Sequence, residues 1–175
     1  NTRALTPEAA ATRNREIVGA LVLAMAAEGL QEHELLLVSR GDSTLRGHGV
    51  LEPQVLAQAW EEHFAAVDAT LHVPAFLEGG RTTVNGVHLL HGEPVHTTAF
   101  ARDRLFGYST SDLAEWLEEK SAGQIAADAV VRIPLALLEA ERAEDLLACL
   151  EALNANRSVV ADATHPEHPP APGVV

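Results

Sequence analysis

Hydrophobic and polar positions alternate in short periodic blocks along the chain. Thr6-Pro7-Glu8 has the chemistry of a helix start: a hydroxyl cap, a proline at the first helical position and an acidic residue near the positive end of the helix. Apolar residues then recur at Ile17, Leu21, Ala24 and Met25, and Gly29 follows as a stop. The short apolar run Glu34–Ser39 (ELLLVS) reads as a buried strand. Val50–Val67 is rich in helix formers, and Pro53 fits its first turn. Ala69–Pro74 reads as a second strand. Arg81–His96 sets Asn85-Gly86 between β-formers, a strong hairpin signal. Ser111-Asp112 caps a helix in LAEWLEEK, Ala129–Leu135 is a third buried strand, Leu137–Ala155 is helical and Arg157–Ala163 is a fourth strand.

Strands that alternate with helices imply right-handed crossovers. The expected fold is α/β, a mainly parallel sheet flanked by helices, with an inserted β-hairpin and incomplete at the N-terminus. Residues 1–160 are expected to form one partial domain and 161–175 a Pro-rich tail or linker, ending THPEHPPAPGVV. The first residue is not Met and a helical pattern begins almost at once, so the sequence reads as a piece of something longer.

Composition narrows the function. Hydrophobic residues make up 47% of the 175 and aromatics only 4%, so the core rests on Leu, Val and Ala. The net charge of −13 excludes a general nucleic-acid binder, which needs a basic footprint. A small anionic ligand in a local basic pocket remains open, because salt confines distant charges to about 10 Å. One cysteine, Cys149, rules out an intrachain disulfide and fits a reducing, cytoplasmic setting. No apolar stretch reaches the ~20 residues that span a bilayer, and no membrane partner is expected.

The densest chemistry lies in VSRGDSTLRGHG, Val38–Gly49, just after the first predicted strand. Ligands of open α/β sheets bind at the carboxyl ends of strands. Arg46 suits a carboxylate or phosphate. Ser43 and Thr44 suit sugar hydroxyls, Asp42 either accepts from a hydroxyl or holds Arg40 or Arg46, and Gly41 and Gly47 permit close backbone approach. The competing readings are a solvated turn followed by a surface Arg, and an Arg-Gly-Asp adhesion loop. The latter needs an exposed extracellular tip, which this context does not supply. A second strand-end cluster, PAFLEGGRTTVNG, adds Glu78, Gly79-Gly80, Arg81, Thr82 and Thr83. It reads either as a second wall of the same pocket or as an ordinary polar hairpin. His88, His91 and His96 cluster in the hairpin region, where imidazoles could ligate a metal; successive strand positions alternate faces, so His88 and His96 share one only if the register allows, and no metal site is expected. Arg102 and Asp103 read as loop-fixing residues, Trp116 as core and Cys149 as an inert thiol.

SRGDSTLRGH, PAFLEGGRTTVNGVHLL and TAFARDRLFGYSTSDLAEWLEEKSAG, in this order and spacing, resemble the N-terminal domain of the four-carbon acid sugar kinases, long known only as a domain of unknown function. The resemblance covers Asn1 to Leu138. It implies a two-domain ATP-dependent kinase. The N-terminal domain binds the sugar acid, a C-terminal nucleotide-binding domain binds ATP with Mg2+, and phosphoryl transfer occurs between them. By this resemblance Asp42, Ser43, Thr44, Arg46 and Gly47 belong to the sugar-acid site, with Arg81 and Thr82 nearby. Arg46 would clamp the carboxylate and Asp42 would orient a hydroxyl; no catalytic base is assigned. The family's opening strand and its Asp-Asp-Leu-Thr-Gly-Ala type loop are not in this sequence, and neither is the nucleotide-binding domain. The chain by itself is therefore expected to lack kinase activity. Its expected partners are a small sugar acid, the C-terminal domain of the same protein and a possible second copy. A stand-alone, non-catalytic sugar-acid sensor is the alternative.

Overall fold

A computed structural model describes residues 2–139 and 143–164. Thr6 Oγ1 accepts the Ala9 amide at 3.3 Å and Pro7 opens α1 (Pro7–Glu28). Gly29 ends it at φ +72°, in the left-handed region where a missing Cβ removes the strain. The buried face of α1 is Ala10, Ala11, Asn14, Val18 and Met25. This corrects the stripe read through Ile17 and Ala24; Ile17 is 50% exposed. Apolar residues lie on both sides of that line, so periodicity alone could not place the seam. The partner helix α2 (Leu51–Glu61) does, through Ala59 and Trp60 against Val18 and Met25.

The predicted strand Glu34–Ser39 does not form. Glu32–Glu34 makes a single 3-10 turn, and residues 35–40 run on outside any ladder. Leu36 and Val38 are 58% and 69% exposed. An aliphatic run becomes a strand only where a neighbouring strand offers its edge. Among the described residues none does.

The other predicted strands form. β1 (Ala69–His72) leads to a hairpin of β2 (Arg81–Val84) and β3 (Val87–Leu90), to which β4 (Glu93–Pro94) adds antiparallel. Asn85 and Gly86, both at positive φ (51° and 76°), make the two-residue turn whose twist matches the strands. Helix α3 (Leu113–Lys120) is capped by Asp112, whose Oδ1 accepts the Ala114 and Glu115 amides. β5 (Val131–Ile133), α4 (Leu135–Glu139), α5 (Ala143–Glu151) and β6 (Arg157–Ala161) follow. The one helix expected over Leu137–Ala155 is thus described as α4 and α5, with residues 140–142 outside the described set. The main sheet is parallel in the order β1-β6-β5, as expected for an α/β fold.

Two carboxylates join the hairpin to this sheet. Asp162, buried just past β6, accepts the amides of Asn85, Gly86 and Leu135 at 2.9–3.0 Å. Asp112 receives Arg132 of β5 in two bonds of 2.8 Å. Ala163 exchanges backbone bonds with Thr83, so residues just past 160 pack with the domain. Most of the Pro-rich tail, 165–175, with His165 and His168, lies outside the described residues. Trp116 is buried beside Leu113, Leu117 and Tyr108, and Cys149 is half-buried. No described helix is long and apolar enough to cross a membrane.

Candidate functional site

The loop from Arg40 to Gly49 is organised around Asp42. Its Oδ1 accepts the Thr44 amide at 2.8 Å and the Thr44 hydroxyl at 2.6 Å, an Asx turn. Its Oδ2 accepts from Arg46 at 2.8 Å and from Arg3. Four donors thus engage the carboxylate. Burial acts to raise the Asp42 pKa, but Thr44, Arg46 and Arg3 outweigh it and hold the carboxyl below its ordinary value. Arg46 is equally fixed. Its Nε donates to Thr44 Oγ1 at 3.0 Å, its guanidinium lies 4.7 Å over the Phe100 ring, and Nη1 stands 3.9 Å from Asp103. Asp103 in turn accepts the amides of Leu105 and Phe106, so the sequence expectation of a loop-fixing Asp103 agrees with its bonds.

The loop is braced from below. Thr44 is buried, and its carbonyl accepts from Tyr108 Oη at 2.7 Å. Burial drives the Tyr108 pKa up to about 12, so it stays a donor. The Ser43 carbonyl accepts from His88 Nε2 at 2.8 Å, while Thr83 Oγ1 lies 3.0 Å from His88 Nδ1. A carbonyl can only accept, so Nε2 carries the proton and the Thr83 hydroxyl donates to Nδ1. His88 is fully buried and its pKa is lowered, first by desolvation. Leu45, at φ 63°, and Gly47, at φ 104°, carry the chain back toward α2. At Gly47 a side chain would be strained and would also meet Arg3.

Above the loop lies a cavity of about 410 Å3, whose lining includes Arg40, Asp42, Arg46, Gly47, His48 and Glu52. Arg3 reaches it from the chain's start, and His48 Nε2 donates to Leu5 O at 3.0 Å. Glu52 is buried in the first turn of α2 and accepts from Ser39 Oγ at 3.3 Å. Arg40 is exposed and has no ion pair among the described residues. Among the described residues the cavity therefore holds a free guanidinium (Arg40), two guanidinium groups paired with Asp42 (Arg46 and Arg3), and a second, lightly engaged carboxylate, Glu52.

Of the residues picked from the sequence, Asp42, Arg46 and Gly47 line this cavity. Ser43 and Thr44 lie beneath it as loop supports. Arg81 and Thr82 sit on β2, outside the lining. Arg81 stacks 5.6 Å from the Phe76 ring, and its buried Nε has no partner among the described residues. Sequence reading gave Arg40 only as a possible partner of Asp42 and did not single out Arg3, His48 or Glu52. The signal for Glu52 was its place in the first turn of the helix after the loop. Arg3 is brought in by the fold and left none.

The chain matches, over residues 1–169, the family described as "Sugar-binding N-terminal domain". Solved structures agree. A Bordetella bronchiseptica protein, described as a domain of unknown function (DUF1537) with bound citrate and as a domain-swapped dimer, is 27% identical over 94% of this chain, with a TM-score of 0.64. A Salmonella typhimurium LT2 protein described as a putative tRNA synthase (18% identity, 95% of this chain, TM-score 0.67) and a Haemophilus influenzae protein of the DUF1537 family (17%, 74%, 0.56) share the fold. This chain spans only 35%, 37% and 30% of those three chains. No curated protein matches it.

Proposed function

Because the chain belongs to the family of sugar-binding N-terminal domains, we propose that it is the sugar-acid-binding domain of an ATP-dependent four-carbon acid sugar kinase. The observation that carries the reading is the 410 Å3 cavity in which Arg40, without an ion pair among the described residues, stands beside a pre-oriented Arg46. A sugar acid needs a cation for its carboxylate and acceptors for its hydroxyls. Arg40 and the uncommitted N–H groups of Arg46 supply the first. Glu52 supplies the second. Asp42, with four donors already in place, acts chiefly by holding Arg46 in its rotamer, so the guanidinium meets the ligand without losing further side-chain freedom. The Bordetella protein is described with bound citrate, a small hydroxy-carboxylate, which supports a carboxylate ligand class.

ATP and Mg2+ belong, in this reading, to a second domain of a longer cytoplasmic protein. Phosphoryl transfer is mainly positioning and charge stabilisation. The part this domain plays is to hold the acceptor hydroxyl at the mouth of the cavity. The test is a thermal-shift panel of four-carbon sugar acids against the wild-type chain and Arg40→Ala/Arg46→Ala. Stabilisation of the wild type alone supports the site. No stabilisation by any acid, or equal stabilisation of the variant, refutes it. ATP turnover that requires a polypeptide longer than these residues supports the kinase assignment, and turnover by the 175-residue chain alone contradicts it.

A further inference from the structure

We propose that Glu52 sets the charge of the ligand: its carboxylate restricts the polar cavity to an acid with a single negative charge and turns away the corresponding diacid. The inference rests on the sugar-acid reading and adds to it a residue that decides which acid is taken.

Glu52 is placed unlike Asp42, the other carboxylate of the lining. It stands in the first turn of α2 and is 8% exposed. Among the described residues its one side-chain bond runs from Ser39 Oγ to Oε2 at 3.3 Å, and Oε1 accepts nothing. Asp42 is shared by Arg3 and Arg46, whereas Glu52 has no cation within ion-pair distance among the described residues. Arg40 lines the same cavity and does not pair with it. Two opposite charges thus face one space without meeting. Burying a carboxylate away from any cation is costly. The helix dipole does not account for it, because an acid in a first turn gains from the dipole at an exposed position too.

The charges of the lining match a monoanion. Three guanidinium groups (Arg3, Arg40 and Arg46) and two carboxylates (Asp42 and Glu52) give a formal charge of +1 with His48 neutral. A sphere of 410 Å3 is about 9 Å across, so each of these charges acts on a ligand inside it within the ~10 Å screening distance. A monoacid sets its carboxylate on Arg40 and Arg46, and a hydroxyl further along donates to Glu52 Oε1. A diacid of the same length brings a second carboxylate toward Glu52. Neither group has a proton to donate, and the two like charges meet in a partly dry space. Glu52→Gln reverses both conditions. Its amide donates to the second carboxylate, and the formal charge of the lining rises to +2, which matches a dianion.

Acids matched in length and stereochemistry test the proposal: threonate with tartrate, and erythronate with meso-tartrate. They are titrated calorimetrically into the 175-residue chain at about pH 7.5, where each monoacid carries one charge and each diacid two. The better-bound monoacid should bind about tenfold or more tighter than its diacid. Glu52→Gln should bring that ratio to about one or below, by strengthening the diacid and weakening the monoacid. Citrate, described as bound to the Bordetella protein, should follow the diacids here. A purely structural Glu52 would change the stability of the variant and leave the ratio where it was. Equal affinity of the wild type for monoacid and diacid overturns the proposal and leaves the sugar-acid reading standing. So does citrate binding as tight as that of the monoacid, or a ratio that Glu52→Gln does not move. Binding of neither acid of either pair overturns both. Should Glu52→Gln fail to fold, the wild-type ratio measured between about 0.05 and 0.5 M salt takes its place: screening should shrink it, and a ratio indifferent to salt overturns the charge filter.

Discussion

His88 offers a quantitative test of how the hairpin supports the loop. Its imidazole is fully buried, donates to the Ser43 carbonyl at 2.8 Å and lies 3.0 Å from the Thr83 hydroxyl. His88→Leu keeps nearly the same volume and removes both bonds. It leaves the half-buried Ser43 carbonyl and the buried Thr83 hydroxyl without these partners, each at a cost of about 1–3 kcal/mol. The expected loss is roughly 2–5 kcal/mol, since leucine recovers part of the packing. For a domain of this size that is about 5–15 °C in Tm. Urea denaturation monitored by tryptophan fluorescence measures it. Thr83→Val in the His88→Leu background should recover about 1 kcal/mol or more, because the orphaned hydroxyl is gone. A loss below about 1 kcal/mol for His88→Leu would refute the claim that this histidine joins hairpin to loop.

Other consequences follow from the same geometry. Tyr108→Phe should cost about 1–2 kcal/mol by urea denaturation, because it removes only the 2.7 Å bond to Thr44 O and keeps the ring. Asp162→Ala should be among the most damaging single changes, about 3 kcal/mol or more, since three amides lose their acceptor together; a small effect would mean that water replaces it. His72 is held by desolvation at a pKa of about 4. The unfolded chain takes up its proton near pH 6.5 and the folded chain resists until about 4, so stability is complete above 6.5 and falls between those values. The loss is at most about 3 kcal/mol, and His72→Phe, compared with the wild type between pH 7.5 and 4.5, should remove that slope.

The sequence made the helix caps, the hairpin and three of the four strands legible because each rests on local chemistry. Thr6, Gly29, Asp112 and Asn85-Gly86 work through their own neighbours along the chain. Residues 34–39 were misread because a strand is a property of a pair of edges, and the aliphatic run says nothing about whether its neighbour is present. The face of α1 was misplaced because only Ala59 and Trp60 of α2 decide which of two apolar lines is buried. The site was half legible. Asp42 and Arg46 stand in one short motif, and their mutual pairing is local. Arg3 lies 39 residues away from Asp42, and Glu52 reaches the cavity only through the placement of α2.

The central claim is that the cavity over the Arg40–Gly49 loop binds a small sugar acid. The most direct measurement is a titration of four-carbon sugar acids into the isotope-labelled protein, followed by amide and guanidinium NMR shifts. The account predicts saturable shifts confined to residues 40–52 and Arg3, lost in Arg40→Ala/Arg46→Ala. Shifts centred on the Arg81–Leu90 hairpin, or saturable binding that survives the double substitution, would contradict it.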